Sequence, residues 1–242
     1  MNRYLAPHRS VRQFKSDAIP EELVQALLRE AQRAPTDATA QMYSFLRISD
    51  RKLRLALSAA CGGVPPMESA PEFFVICADL ARLQAFLALE DQKLGDFPSI
   101  GLHFATVDAT LAAQRLMDAA EAAGLGVCPI GALVNGIEKV VELLQLPPLV
   151  MPLFGLCLGY PQETPPERPR LPLSLVLFTD TYGALPAGAL KEASEHMNAI
   201  TRSGHWLGVL SRYFAEKGTM EERETAWRRV LQAQGFHFST EE

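Results

Sequence analysis

Cysteine is scarce in this chain and forms no pattern. The four cysteines, Cys61, Cys77, Cys128 and Cys157, include no C-x-x-C pair, so neither a zinc site nor a redox disulfide is expected. Stretches such as FFVICADL and FGLCLGY read instead as small buried hydrophobes. A surplus of positive charge is missing too: 23 Lys and Arg stand against 28 Asp and Glu, a net charge of −5, with a pI near 5.6. Neutralising nucleic-acid phosphates needs a net basic face, which argues against a general nucleic-acid partner. No apolar run approaches the roughly eighteen residues a membrane-spanning helix needs, so no membrane partner is expected. The opening MNRYLAPHRSVRQF has no apolar core, so no signal peptide is expected, and free thiols then point to the cytoplasm.

Several catalytic signatures are absent as well. The five histidines, His8, His103, His196, His205 and His237, form no H-E-x-x-H and no i,i+4 pair, so no metal site is expected. There is no G-x-S-x-G elbow and no Walker loop. Gly124-Leu125-Gly126 closes a helix rather than opening one, unlike a dinucleotide fingerprint. What is present is a 48% hydrophobic, 21% charged chain of 242 residues. That excludes intrinsic disorder and suits a well-cored protein burying roughly three quarters of its surface.

Periodicity supplies an outline. Pro20, Glu21 and Glu22 suit a first helical turn, and Leu23, Leu27 and Leu28 continue it towards Ala34. Residues 45–49 alternate like a strand, and Asp50 is placed to cap a helix over 51–60. Phe73 to Asp79 and Leu149 to Tyr160 read as buried strands. Residues 80–98 read as helix and then loop, and Val127 to Leu133 leads to a short helix near 136–144. The longest helix is Ile100 to Ala123. Ala109, Ala113, Leu116, Ala120 and Gly124 lie on one face, and Phe104, Val107 and Leu111 on another, which predicts burial on two sides, at the centre of the domain or of a dimer. Residues 161–172 hold five prolines and read as an irregular loop. A strand is expected over Leu173–Thr179, helices near 187–200, 204–217 and 220–234, and a short final strand at Phe236-His237-Phe238. Helices and strands intermingle without a βαβ rhythm, so the expected class is a layered α+β domain.

Two basic clusters stand out in this acidic chain: His8-Arg9-Ser10-Val11-Arg12, and Arg168-Pro169-Arg170 inside the proline-rich loop. Serine hydroxyls and guanidinium forks suit phosphate. Short basic runs also occur as solvated surface patches, and residue types alone leave both readings open. A small polar loop, Ala34-Pro35-Thr36-Asp37-Ala38-Thr39-Ala40-Gln41, follows the first helix.

Taken in order, HRSVRQF at 8–14, the loop ending at Gln41, GLGVCPIGAL at 124–133, PLFGLCLGYP at 152–161 and ERPRLP at 167–172 resemble the nitroreductase family. Within it the closest likeness is to the branch of oxygen-insensitive NADPH nitroreductases and flavin reductases. The resemblance runs over roughly residues 5 to 200. It implies a three-layer α+β fold, a central mixed or antiparallel sheet flanked by helices, with a helical excursion. The whole chain, 1–242, would be a single domain with roughly 187–242 as a helical C-terminal extension. It also implies a homodimer that binds FMN at the subunit interface and draws electrons from NAD(P)H by a ping-pong route to nitroaromatic or quinone-type acceptors. A flavin reductase, or a flavin-binding protein of weak activity, is the alternative.

The same resemblance assigns residues. His8, Arg9 and Ser10 would hold the phosphate with Arg168 and Arg170, and Arg12 would lie beside the flavin ring and ribityl chain. Thr36, Asp37, Ala38 and Gln41 would come from the partner subunit. Ile130 and Gly131 would face the ring, with a backbone N–H near N5. No side-chain acid or base is required for hydride transfer, so no catalytic residue is nominated. The chain departs from the family pattern at Val64 (usually glutamine), Pro129 (an aromatic), Val134 (an arginine) and Asp37 (a neutral residue). An arginine-rich segment expected after Thr201-Arg202 is shortened to Ser203-Gly204-His205-Trp206, which leaves two readings: Arg202 takes over the grip on the 2′-phosphate of NADPH, or the preference for NADPH is lost.

Overall fold

The computed structural model describes residues 7–201 and 203–237. Arg202 and Phe238 lie outside the described residues. The chain divides into two compact units, residues 1–165 with 226–242, and residues 166–225.

The first unit begins with α1 (Glu21–Ala31), whose first turn carries Glu21 and Glu22, as the dipole favours. Strand β1 (Tyr43–Arg47) follows, then α2 (Arg51–Ala60), capped by Asp50, which accepts the Lys52 N–H at 2.7 Å. Next come α3 (Pro65–Ser69), β2 (Glu72–Asp79), α4 (Ala81–Ala88) and α5 (Pro98–Ala122). Strand β3 (Gly126–Ile130) leads through a 3₁₀ segment to α6 (Ile137–Leu144), and β4 (Val150–Gly159) completes the sheet.

The four strands pair antiparallel in the order β1-β2-β4-β3. Every residue of β2 is buried, so both faces of the sheet must be covered. Strand alternation divides its side chains. Phe74 and Ile76 pack with Leu27, Ala109, Ala113 and Leu116 on the α1/α5 side. Phe73, Val75 and Cys77 pack with Leu57, Met67, Leu133 and Val140 on the side of α2, α3 and α6. Helices, sheet and helices thus form three layers, an α+β architecture with a core on each face of the sheet and a third cluster around Leu80, Met151, Leu231 and Phe236.

All four cysteines are free and buried. Burial pushes the Cys61 thiol up to about 11 and Cys77 up to about 12, and raises Cys157 further. At pH 8 a thiol titrating near 11 is ionised to about one part in a thousand, and only the thiolate is nucleophilic. A disulfide-exchange chromophore should therefore leave the folded protein unlabelled over minutes at pH 8 and titrate all four thiols in denaturant.

The second unit contains α7 (Ala187–Met197) and α8 (Trp206–Phe214), and the boundary with the first falls inside α9 (Thr219–Ala233). The strand expected over Leu173–Thr179 is absent. Pro172 starts a 3₁₀ turn over Leu173–Leu175, and the N–H groups of Leu175, Val176 and Leu177 turn back to the carbonyls of Pro172 and Leu173. Apolar content suggested a strand, but these donors are spent locally.

The final strand is also replaced, over its described residues, by a helix stop. Gly235 adopts φ 85°, its N–H donates to Gln232 O, and the Phe236 N–H donates to Leu231 O, the paired bonds of a Schellman motif. Phe236 is then buried against Leu231. Gln234 ties this end to the sheet, donating from Nε2 to Pro147 O and Val150 O and accepting the Leu149 N–H on its backbone carbonyl.

The two faces of α5 fare differently within one chain. Ala109, Ala113, Leu116 and Ala120 are fully buried, whereas Val107 and Leu111 stay 39% and 40% exposed, and Gly124 is exposed. One chain covers only one of the two apolar faces.

Candidate functional site

The stretch from His8 to Phe14 runs beside β3 at an edge of the sheet. Ser10 forms a parallel bridge with Val127, and the Val11 N–H donates to Val127 O at 2.9 Å. Farther on, the Lys15 N–H donates to Tyr160 O and the Gln162 N–H to Gln13 O. Val11 and Phe14 are buried, so the segment is anchored by alternate residues, while His8, Arg9 and Ser10 stay half-buried and Arg12 is exposed.

His8 and Arg9 are oriented by distant partners, and Ser10 and Arg12 by neighbours within the stretch. His8 Nδ1 meets Glu121 Oε1 at 2.7 Å, and His8 Nε2 lies 3.3 Å from Ser10 Oγ. Arg9 donates to Pro165 O at 3.1 Å, and Arg12 donates to Ser10 O at 3.2 Å. Glu163 accepts the backbone N–H groups of Arg12 and Gln13 at 2.7 and 3.0 Å, fixing the turn. Among the described residues neither Arg9 nor Arg12 pairs with a carboxylate. Two guanidiniums without counter-ions, beside an imidazole and a hydroxyl, form a donor set that suits a phosphate dianion.

Ile130 and Gly131 end β3 on the same edge. Ile130 is buried and Gly131 exposed. A side chain added at Gly131 would meet nothing within 4 Å, whereas one at Gly126 would strike Val11 at 2.7 Å. The chain itself gives no steric reason for a glycine at 131. Open space before a bare backbone is what a flat ligand approaching closely would require.

The loop from Thr36 to Gln41 lies elsewhere. It enters β1 at the opposite edge of the sheet, roughly 14 Å across three strand spacings, and at the opposite end of the strands. Ala38, Thr39 and Gln41 have φ of 46°, 59° and 52°, a left-handed region that costs non-glycine residues about 1–2 kcal/mol each. The strain is held by Asp108 of α5, which is 1% exposed and accepts the Asp37 and Met42 N–H groups at 2.9 and 3.0 Å. Arg82 adds donation to Gln41 O at 3.2 Å and to Tyr43 O. Asp108 and Glu121 stand thirteen positions apart on α5, roughly 20 Å along its axis. One chain therefore brings together residues 8–12 but holds 36–41 apart from them.

Arg168 and Arg170 belong to the second unit, where both are exposed and Arg170 donates to the carbonyls of Arg168 and Pro169. Val64 packs against the core on the α2 side, Pro129 is exposed, and Val134 is half-buried. Among the described residues no group of His, Cys, Asp and Glu is arranged to hold a metal, and no helix is long and apolar enough to cross a membrane.

Sequence reading missed Asp108, Glu121 and Glu163. Two of them carried a signal. Asp108 falls between Ala105, Ala109 and Ala112 on the buried stripe of α5, where a charge needs partners. Glu121 sits in the last turn of α5, which contains no basic residue, at the end of a helix that disfavours an acid.

Comparison with known proteins matches this architecture. The family model described as the nitroreductase family covers residues 5–160. The chain belongs to the nitroreductase family. An FMN reductase (NADPH) of Bacillus subtilis is 35% identical over 222 residues, 91% of this chain and 85% of that protein. An oxygen-insensitive NADPH nitroreductase of Salmonella typhimurium is 36% identical over 226 residues, with the same coverage of 91% and 85%. The solved structure of the NfrA1 nitroreductase from B. subtilis superposes with a TM-score of 0.87 at 30% identity, covering 95% of this chain and 96% of that one. Nitroreductase-family membership and a nitroreductase fold are thus common to the sequence, the layers and the neighbours.

Proposed function

We propose that this nitroreductase-family chain is an FMN-dependent oxidoreductase that takes electrons from NAD(P)H and passes them two at a time to a nitroaromatic or quinone-type acceptor. The observation that carries the reading is the donor set His8, Arg9, Ser10 and Arg12, gathered on one edge, where among the described residues neither guanidinium pairs with a carboxylate. FMN, when bound, supplies a two-electron carrier that receives hydride at N5. The chain's own residues bind and orient. His8, Arg9 and Ser10 hold the phosphate, and Arg12 sets a positive charge beside the ring. Ile130 closes the core under the strand end, and Gly131 leaves its backbone N–H open to a close approach. Arg168 and Arg170 are proposed as further phosphate donors on the likeness of ERPRLP alone. Donor and acceptor take turns in one pocket, so initial-rate plots at varied acceptor should be parallel.

The working unit in this reading is a homodimer, with residues 1–242 of each copy as one domain. The exposed Ile100, Val107 and Leu111 of α5 supply an apolar stripe for a second copy. That copy's Thr36, Asp37, Ala38 and Gln41 complete the site that residues 8–12 begin. Four buried free thiols suit the cytoplasm. Purified protein reconstituted with FMN should hold one flavin per chain and scatter light as a dimer. A monomer at micromolar concentration, or protein that FMN cannot colour, would contradict the reading.

A further inference from the structure

We propose that Glu121 is a positioning residue for the phosphate end of this site, acting through His8 to set which way the Ser10 hydroxyl points its proton. The inference rests on the reading that residues 8–12 hold the phosphate of FMN.

Three side chains form a relay: Glu121 Oε1 to His8 Nδ1 at 2.7 Å, and His8 Nε2 to Ser10 Oγ at 3.3 Å. The Glu121 side chain is 19% exposed and that of His8 37%, so the contact is partly sheltered. The helix itself gives no reason for an acid in its last turn, whereas the imidazole does.

The protonation state of His8 decides what Ser10 offers. With one proton, on Nδ1 and directed at Glu121, the imidazole presents a lone pair at Nε2 and takes the Ser10 hydroxyl proton. Ser10 Oγ then faces a ligand as an acceptor, which repels a dianion. With a second proton on Nε2, His8 donates to Ser10 Oγ, and the hydroxyl proton is released to donate outward to a phosphate oxygen. A phosphate therefore meets a donating Ser10 hydroxyl only when His8 donates from both ring nitrogens, and the Glu121 carboxylate supplies the compensating charge behind it.

The groups around His8 leave this role to Glu121. On α5, Asp118 is already engaged as the acceptor of Gln114. On its own segment, Arg9 is directed at Pro165 O. Strand β3 alongside contributes only the buried Cys128. The 160–165 stretch contributes Tyr160 and Glu163, the latter bound to the backbone of Arg12 and Gln13.

The test is flavin fluorescence quenching on the full chain between about pH 7 and 9, with FMN and with riboflavin, which lacks the phosphate. Wild type, Glu121→Gln and His8→Gln are compared. The wild-type preference for FMN over riboflavin should fall with rising pH, because the doubly protonated imidazole is the form that frees the Ser10 hydroxyl to donate. Glu121→Gln should cut the preference at pH 7 by about tenfold and move the fall to lower pH. His8→Gln should lose the pH dependence while still folding.

Equal wild-type affinity for the two flavins would overturn the phosphate reading itself. A clear FMN preference whose size and pH profile are the same in Glu121→Gln would overturn the relay alone. Should Glu121→Gln fail to fold, an unchanged profile in His8→Gln would overturn it equally.

Discussion

Replacing Arg9 with alanine is expected to weaken FMN binding by about 100-fold while leaving riboflavin binding within about threefold. Hydrogen bonds to a charged group contribute about 1.5–3 kcal/mol each, and a guanidinium can direct two at one phosphate. The Arg9 fork is already held by Pro165 O, so little side-chain freedom is lost on binding and more of that interaction appears as affinity. Arg9→Lys should recover only part of the loss, because an ammonium keeps the charge but not the planar fork. Fluorescence titration measures both variants, and thermal melts of the flavin-free proteins check that they fold. Equal losses for FMN and riboflavin would move Arg9 away from the phosphate.

Asp108→Ala is expected to cost about 3–5 kcal/mol of stability, lowering the melting temperature by roughly 10 °C in a chain of this size. The carboxylate is buried and accepts two backbone N–H groups. Its removal leaves both donors without a partner and frees three left-handed residues to relax. Asp108→Asn should fall between, since an amide oxygen can keep one bond while its NH₂ faces the other donor.

The same residue tests the shared site. In the proposed dimer the 36–41 loop serves the partner's flavin, so Asp108→Ala should weaken FMN binding although Asp108 lies roughly 20 Å along α5 from Glu121. Mixed dimers of Arg9→Ala and Asp108→Ala chains should regain one intact site in two. Additive loss without recovery would contradict sharing between subunits.

Local chemistry was readable from the sequence where it decides structure locally. Asp50 capping α2, the acid-rich start of α1 and the apolar centre of β2, Phe73 to Ala78, all follow from residues within a few positions of one another. The apolar run after Pro172 was misread because apolar content alone does not fix a strand. Its donors are taken by a 3₁₀ turn, an outcome that spacing does not encode. The strand expected at Phe236-His237-Phe238 was misread over its described residues because a glycine before an aromatic serves equally as a turn or a helix stop, and the Phe236 N–H bond back to Leu231 O decides for the stop.

For the candidate site, residue types at 8–12 suited a phosphate and a solvated surface patch alike, and they did not show what orients them. His8 and Glu121 are 113 positions apart, and Arg12 and Glu163 are 151 apart, so only the fold pairs them. The second apolar face of α5 was legible as a face. That the chain itself leaves it open was not, because burial by the same chain and burial by a second copy leave the same pattern in sequence.

Anaerobic titration of the FMN-reconstituted dimer with NADPH, and separately with NADH, tests the central claim most directly. The flavin absorption near about 450 nm should bleach at one equivalent of nucleotide per flavin and return on adding a quinone or nitroaromatic. Flavin that stays oxidised under excess of both nucleotides would contradict an oxidoreductase and leave a protein that only binds FMN.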